Sequence, residues 1–321
     1  MNKVLISGAN GFIGRKLCLR LLSSERKFIK IVRNILDEDI ADQYLCNFEE
    51  DEVSDELFEG VDTVFHLAGL AEDANNNLRS DSLYYKVNVD ATEKFAINAA
   101  KKGVKRFIFI SSVKACGNRP LNRSLNKCIN EEDQFEPDGI YGKSKREAEI
   151  KLLELGNKSK MHVTIIRPSL VYGKGMKGNL NKMLIGIKKG WFPPLPEVGN
   201  RRSMVHVDDL VEIILMVEKN EKSFGEILIA TDGNMYSSNE IYKEMSLFID
   251  KPVKSWVVPN IFFIFLAKFG NLVNVIFPFP FNSHRYQKLL GDECYSSIKL
   301  ESMLGFKASQ NIFTFSQSKH D

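Results

Sequence analysis

Short apolar runs alternate with helix-length amphipathic segments along the first half of the chain. Runs of this kind, bounded by glycine or polar residues, are typical of strands buried in a parallel sheet. The predicted strands are residues 4–7, 28–32, 61–69, 106–112 and 163–168. Helix-length segments separate them, including one over residues 84–100 and one from Tyr141 to about residue 155. This alternation predicts an α/β fold with a doubly wound parallel sheet and right-handed crossovers.

The pattern changes after about residue 175, where glycines, prolines and aromatic residues interrupt the periodicity. We therefore predict a smaller C-terminal substrate lobe over residues 175–321. Segments near 203–217 and 226–230 are again apolar and are expected to return to the main sheet. Residues 117–139 are polar and loop-like. They lead directly to Tyr141, a candidate proton-transfer residue, and are therefore expected to pass over the active site.

Residues 257–281 are markedly apolar and aromatic. Lys268, Gly270, Asn271 and three prolines interrupt them, whereas a membrane-spanning helix needs about 20 continuous apolar residues. No integral membrane span is therefore predicted. Packing in a core is the favoured interpretation, and a helix lying in a membrane interface is the alternative.

Composition excludes some classes of function. The 321 residues are 44% hydrophobic, enough for a sizeable core, and 44 Lys and Arg nearly balance 41 Asp and Glu, which argues against a nucleic-acid partner. The cysteines are odd in number, without metal-type spacing, so reduced thiols and no metal site are predicted: Cys18, Cys46, Cys116, Cys128 and Cys294. No secretory signal precedes the first apolar run, which favours a cytoplasmic location.

A glycine-rich turn lies between the first predicted strand and the first predicted helix. Gly8, Gly11 and Gly14 are spaced G-x-x-G-x-x-G. Glycines permit a tight turn and close backbone approach, while a helix N-terminus offers free N–H groups to a pyrophosphate. This context predicts a Rossmann-like NAD(P)-binding domain over residues 1–174.

The choice between NAD and NADP depends on the end of the second strand. An NAD-selective site often has Asp or Glu there to bind the ribose hydroxyls, but this chain has Arg33. Arg15 directly follows the third glycine. Both guanidinium groups could pair with a 2′-phosphate, which favours NADP, or both could be ordinary surface arginines.

Candidate proton-transfer chemistry lies in the second quarter of the chain. Tyr141 and Lys145 are one helical turn apart, so the ammonium could lower the pKa of the phenol, although this spacing also occurs on solvated helix faces. Ser112 ends an apolar strand, which places a hydroxyl at the ligand-binding edge of the sheet. His66 is interpreted as a structural strand-end histidine.

Several ordered motifs together resemble the extended short-chain dehydrogenase/reductase family. They are residues 8–14, residues 62–70 (DTVFHLAGL), Asn88, residues 107–112 (FIFISS) and residues 141–145 (YGKSK). Within the family the chain is most similar to UDP-galactose and UDP-N-acetylglucosamine 4-epimerases. The resemblance is strong from residue 1 to about residue 230 and weaker beyond it.

The resemblance implies roles for individual residues. Ser112, Tyr141 and Lys145 would form the catalytic triad, in which Ser112 and Tyr141 hold a sugar hydroxyl and Lys145 bonds the nicotinamide ribose and lowers the pKa of Tyr141. The implied cofactor-binding residues are Gly8, Gly11, Phe12, Ile13, Gly14, Arg33, Asn47, Phe48, Ala68, Gly69, Asn88, Tyr141 and Lys145. The implied substrate-binding residues are Ser112, Tyr141, Asn179, Arg202 and Lys288, of which Arg202 suits a sugar diphosphate.

The implied function is a nucleotide-sugar 4-epimerase of bacterial surface-polysaccharide synthesis, acting through a 4-keto intermediate on UDP-hexose or UDP-N-acetylhexosamine. An NADPH-dependent 4-ketoreductase is the close alternative, because the acid expected after the second strand is missing. A 4-epimerase of a polyprenyl-diphosphate-linked sugar would suit the aromatic stretch, and a non-catalytic NAD(P)-binding module is a distant alternative. The implied partner is a small-molecule nucleotide sugar, with a homodimer as a further expectation.

Overall fold

The computed structural model describes residues 3–35, 42–51, 53–72, 80–117, 127–137, 139–274 and 277–317. The strands among them are β1 (Lys3–Ser7), β2 (Phe28–Val32), β3 (Asp42–Leu45), β4 (Val61–His66), β5 (Arg106–Ile110), β6 (His162–Pro168), β7 (Leu170–Tyr172), β8 (Arg202–His206), β9 (Ile227–Ala230) and β10 (Met235–Tyr236). The α-helices are α1 (Phe12–Ser23), α2 (Asp81–Tyr85), α3 (Thr92–Lys101), α4 (Gly139–Lys158), α5 (Gly178–Lys189), α6 (Val207–Lys219), α7 (Ser238–Phe248), α8 (Asn260–Val273), α9 (Ser283–Leu290), α10 (Ile298–Leu304) and α11 (Ile312–Gln317).

The main sheet has the order β3-β2-β1-β4-β5-β6-β9, and every neighbouring pair is parallel. Its central strands are apolar because both faces are covered. One face packs on α1 and α6, through residues such as Leu17 and Ile213, and the other packs on α3 and α4, through residues such as Phe95 and Leu152. The predicted Rossmann-like α/β fold is confirmed.

The strand order reverses between β1 and β4, which leaves a crevice at their carboxyl ends. The Gly8 turn follows β1, and residues 67–70 follow β4, so both segments border this crevice. The predicted strand over 106–112 ends earlier, at Ile110, which leaves Ser111 and Ser112 beyond the strand. The short strand β3 was not predicted, since its side chains are only partly buried at the sheet edge and carry little apolar periodicity.

The second lobe is built around a small sheet of β7, β8 and β10. Of the segments expected to return to the main sheet, β9 pairs with β6, and α6 packs against α1. The strand β8 instead pairs with β7 and β10, so that part of the expectation is wrong. Of the predicted loop at 117–139, residues 118–126 and 138 lie outside the described residues.

The structure corrects the prediction of reduced, unpaired cysteines. Cys128 and Cys294 form a disulfide between residues 166 positions apart, with a Cα–Cα distance of 4.8 Å. Next to the disulfide, an isolated β-bridge between Ile129 and Tyr295 joins the same two segments. Such a long-range pairing leaves no trace in cysteine spacing, because it depends on where the second lobe returns to the first.

The structure also corrects the core interpretation of the aromatic stretch. Of α8, only Phe263, Ala267 and Gly270 are buried, while Phe262, Phe265 and most other apolar side chains are exposed. Val275 and Ile276 lie outside the described residues. Within the described ranges no helix has both the length and the apolarity to cross a membrane.

Candidate active site

The glycine turn is shaped by close backbone contacts. Gly8 has a φ of +71°, and a Cβ on it would lie 2.7 Å from the amide nitrogen of Ala68. A Cβ on Gly14 would lie 2.3 Å from the carbonyl oxygen of Gly8, so only glycine lets α1 approach the turn this closely. The turn therefore presents bare backbone to the crevice.

The N-terminus of α1 faces the same turn. Gly11 is its N-cap and provides no side-chain cap, so the first amides of the helix remain available to an anion. The side chain of Phe12 packs against the core of the second lobe, and that of Ile13 packs under the main sheet. Phe12 and Ile13 can therefore contribute to a pyrophosphate site only through their backbone amides.

A cleft of about 250 Å³ opens at the crevice. It brings together seven of the residues that the sequence nominated for cofactor binding: Gly8, Gly11, Arg33, Asn47, Phe48, Ala68 and Gly69. Lys177 also lines the cleft and was missed, because it lies in a glycine-rich segment after β7 with no periodic pattern. Arg15 is exposed on α1 outside this lining set. The bare turn, the free helix N-terminus and the cations Arg33 and Lys177 fit a dinucleotide phosphate, and the carboxylate residue Glu49 also lines the cleft.

Asn88 lies behind the cleft wall. Its amide accepts a hydrogen bond from the Leu70 nitrogen at 2.7 Å, and donates to the Leu70 carbonyl at 3.2 Å and the Ser144 hydroxyl at 3.0 Å. It belongs to a π-helical segment, Lys86–Ala91, a geometry often found at functional sites. Asn88 thus fixes the loop after β4 against α4, and the structure gives it a positioning role.

His66 is buried and paired at both ring nitrogens, with the hydroxyls of Ser7 at 2.7 Å and Thr92 at 3.0 Å. Burial, with a smaller effect of the Lys145 charge, lowers the pKa of His66 to about 3. The ring is therefore neutral at physiological pH and holds β1, β4 and α3 together, in agreement with its interpretation as a structural histidine.

Ser112 and Tyr141 meet at the carboxyl end of β5. Ser112 caps a 3₁₀ turn, Val113–Cys116, by accepting from the Lys114 amide at 3.2 Å, and its side chain is close enough to Tyr141 in the first turn of α4 to favour the phenolate. A Cβ on Gly142 would lie 2.6 Å from the Lys114 carbonyl, so glycine at this position allows α4 to pack closely on the turn that carries Ser112.

The electrostatics of Tyr141 differ from the sequence expectation. Loss of solvation raises the pKa of Tyr141 to about 12. The Ser112 side chain opposes this shift, Glu72 and Tyr84 add to it, and the charge of Lys114 lowers the pKa by a smaller amount. Lys145 instead donates to the Ile110 carbonyl at 3.0 Å, with its ammonium 4.4 Å from the Phe109 ring centroid. Lys114, which the sequence did not single out, is therefore the cation that favours the phenolate in this structure.

Lys145 is buried beside the cleft, where a Cβ on Gly69 would lie 3.5 Å from its ammonium. Burial lowers the pKa of Lys145 to about 8, and the nearby Glu149 carboxylate partly offsets this. Because an unfolded lysine has a pKa near 10.4, only the unfolded chain keeps this proton between about pH 8 and 10.

This shift predicts a pH-dependent stability. Between about pH 8 and 10, the free energy of unfolding should rise relative to that of Lys145→Met by up to roughly 1.4 kcal/mol per pH unit. Urea denaturation of both proteins at several pH values measures the difference. Parallel curves for the two proteins would show that Lys145 titrates as an exposed lysine.

The candidate substrate side contains a chain of paired charges, of which Arg202 is buried. Arg202, on β8, donates to Glu293 at 2.7 Å and to the carbonyl of Lys288 at 2.9 Å. Glu293 also accepts from Lys114 at 2.6 Å, and Lys288 donates to Glu72 at 2.5 Å. Although burial alone would raise it, the charges of Arg202 and Lys114 lower the pKa of Glu293 to about 2.

The structure therefore brings together Arg202 and Lys288, two of the predicted substrate-binding residues. Asn179, the third from this lobe, is exposed in the first turn of α5. Sequence reasoning missed Glu72 and Glu293, since isolated acidic residues have no motif and are usually solvated. Their pairing with cations depends on the approach of α9 and residues 291–295 to β8.

The sequence is similar to those of known proteins. Residues 4–230 match the family model described as the NAD dependent epimerase/dehydratase family. The chain is 32% identical over 262 residues to the UDP-glucose 4-epimerase of Vibrio cholerae, covering 80% of this chain and 78% of the relative. It is 31% identical over 266 residues to the N-acetyl-alpha-D-glucosaminyl-diphospho-ditrans,octacis-undecaprenol 4-epimerase of Escherichia coli O157:H7, covering 80% and 76%.

Solved structures show the same fold. MoeE5 in complex with UDP-glucose and NAD superposes with a TM-score of 0.77 at 20% identity, covering 98% of this chain and 96% of that one. The UDP-glucose 4-epimerase of Thermotoga maritima with UDP-glucose gives a TM-score of 0.75 at 19% identity, covering 99% and 98%.

Proposed function

The chain belongs to the NAD dependent epimerase/dehydratase family, and we propose that it is a 4-epimerase of UDP-hexose or UDP-N-acetylhexosamine in bacterial surface-polysaccharide synthesis. The observation that carries this is that the Ser112 and Tyr141 side chains lie together beside the glycine-lined cleft. Two adjacent hydroxyls can hold a substrate alcohol and exchange its proton. We place the activity in the cytoplasm, where nucleotide sugars serve as substrates.

The protein's own residues perform the proton chemistry. Ser112 would accept or donate a hydrogen bond at the sugar O4, and Tyr141 would take its proton as a 4-keto sugar forms. The glycine turn and the free amides of α1 would hold a nicotinamide dinucleotide, which would supply reversible hydride transfer at C4. Rotation of the 4-keto sugar between the two transfers would expose its opposite face. Lys114 favours the phenolate of Tyr141, and Lys145 would bond the nicotinamide ribose from its place beside Gly69.

The paired cations would bind the sugar diphosphate. A guanidinium suits two phosphates, and Arg202 and Lys288 are adjacent, each paired with a carboxylate. Diphosphate would have to replace the carboxylates of Glu293 and Glu72 at these cations, or bind the faces that the carboxylates leave open. Asn179 would complete the site from α5.

The choice of cofactor is tested at Arg33, which lines the cleft. If its guanidinium pairs with a 2′-phosphate, Arg33→Ala should weaken NADP(H) binding by roughly 1.5–3 kcal/mol and barely affect NAD(H). Fluorescence titration with both cofactors measures this, and Arg15→Ala, outside the cleft lining, is the matched control. An equal loss of affinity for NADP(H) and NAD(H) in Arg33→Ala would show that Arg33 does not bind the 2′-phosphate.

Incubation with UDP-glucose and with UDP-N-acetylglucosamine, followed by NMR of the products, tests the reaction. An epimerase should yield both C4 epimers and retain hydrogen at C4 in deuterated water, because the hydride returns. Consumption of NADPH with a 4-keto sugar, without epimerisation, would identify the 4-ketoreductase alternative. Cofactor binding without either activity, and without turnover of a lipid-linked sugar, would identify a non-catalytic module.

A second candidate is a 4-epimerase of a polyprenyl-diphosphate-linked sugar. The relative from Escherichia coli O157:H7 is named for such a substrate. The exposed apolar side chains of α8 also favour it, since a lipid-linked sugar lies at a membrane. Turnover of the lipid-linked sugar in detergent micelles, without turnover of UDP sugars, would establish this candidate over the first.

A further inference from the structure

The outer face of α8 is a continuous apolar stripe. Ile261, Phe265 and Leu272 are 76%, 67% and 72% exposed, and Phe262 and Phe269 are exposed beside them. At 100° per residue these five side chains cover about 100° of the helix surface over its full length. Contiguous exposed apolar surface of this kind usually marks an interaction site.

The inner face of α8 is already fully packed. Phe263 and Ala267 are buried, and a Cβ on Gly270 would lie 1.7 Å from the Phe281 carbonyl oxygen. Asn271 exchanges two hydrogen bonds with Ser283 of α9, at 2.7 and 3.1 Å. These contacts fix the orientation of the helix, so its apolar stripe faces outward.

The chain on both sides of α8 is cationic. Residues 251–291 contain five Lys and Arg and no Asp or Glu. Lys268 lies at the edge of the stripe, and the ammonium of Lys254 lies 5.1 Å from the ring centroid of the exposed Trp256. Lys288 is paired with Glu72, and the other four cations of this stretch are Lys251, Lys254, Lys268 and Arg285.

We propose that α8 docks on the surface of an anionic phospholipid bilayer. Apolar and aromatic side chains edged by lysine are suited to the headgroup boundary, where the rings enter the acyl region and the ammonium groups meet phosphates. The helix is about 21 Å long and lies along the protein surface, so it rests in the interface and does not cross it. A second copy fits less well, because two-fold pairing would bring like charges together.

The docking surface adjoins the candidate substrate site. The helix α9, against which α8 packs, carries Lys288, whose carbonyl accepts from Arg202. Docking would therefore bring the proposed diphosphate site near the membrane surface. Lipid binding itself requires no turnover, so it can be tested separately from the proposed function.

Flotation of the full chain with phosphatidylcholine vesicles, with and without phosphatidylglycerol, tests the proposal. We expect flotation with the anionic vesicles, and a loss of about tenfold in the bound fraction for Phe265→Gln with Leu272→Gln. The matched control is Leu19→Gln with Ile298→Gln, which removes apolar side chains of similar exposure, 62% and 73%, on α1 and α10. Thermal melts of all three proteins should coincide, because every substituted side chain is exposed.

Three results would overturn the proposal: no flotation of the unsubstituted protein, equal flotation with neutral vesicles, or full flotation of the α8 variant. Light scattering tests whether a second copy of the chain covers this face. If the protein is a dimer that the α8 substitutions dissociate, and it does not float with vesicles, the face is a self-association surface. Assays with UDP sugars run in parallel. Flotation without turnover would support the docking surface and reject the UDP-sugar epimerase. Turnover without flotation would support the UDP-sugar epimerase and reject the docking surface.

Discussion

Tyr141→Phe is expected to lose about 10²–10⁴-fold in turnover while binding the cofactor nearly as well as the unsubstituted protein. The substitution removes only the hydroxyl, whose ionisation Ser112 favours. The ring of Tyr141 would keep its packing, 6.5 Å from the Tyr84 ring, so the fold of the site should be retained.

Turnover is measured with both UDP sugars and cofactor affinity by fluorescence titration. Tyr85→Phe, which removes the hydroxyl of an exposed tyrosine on α2, is the matched control and should leave both quantities unchanged. Turnover of Tyr141→Phe within a fewfold of the unsubstituted enzyme would remove Tyr141 from the proton-transfer role.

Arg167→Met is expected to lower the free energy of unfolding by about 3–5 kcal/mol. Arg167 on β6 and Glu149 on α4 are both buried and form paired hydrogen bonds of 3.0 and 2.6 Å. Removing the guanidinium leaves a buried carboxylate without its counter-charge. The pair lies one turn beyond Lys145, so its loss should also loosen the helix that carries Tyr141.

Urea denaturation measures this loss. The double variant Arg167→Met with Glu149→Leu should recover most of the stability, since apolar residues can replace a buried ion pair at little cost. Lys158→Met breaks the exposed pair with Glu154, 3.4 Å long, and should change little. A single variant as stable as the Lys158 control would show that the buried pair contributes nothing measurable.

Much of the Rossmann half was predictable because its determinants are local in sequence. Buried parallel strands must be apolar on both faces, so β2 was predicted with its observed bounds and β1, β4 and β6 within a few residues. Gly8 and Gly14 are required by backbone contacts within one turn, or with the neighbouring strand, so their spacing marks the cleft. Tyr141 and Lys145 are separated by one helical turn, and Ser112 follows a strand.

The second lobe was less predictable because its contacts join distant segments. Glu293 has no local pattern, and it became part of the site only because the chain returns beside Arg202 and Lys114. The same return pairs Cys128 with Cys294. Lys114 rather than Lys145 lowers the pKa of Tyr141, since the position of a charge in space, not its spacing along a helix, sets its effect.

The sequence by itself determined the doubly wound sheet, the glycine-lined cofactor cleft and the residues of the proposed proton transfer. Each depends on periodicity or on contacts within a few residues. Only the tertiary structure determined which apolar residues of α8 are buried and which are exposed. Composition cannot distinguish an apolar face that is covered from one that is exposed, because burial depends on which other element packs there, and α9 covers only one side of this helix.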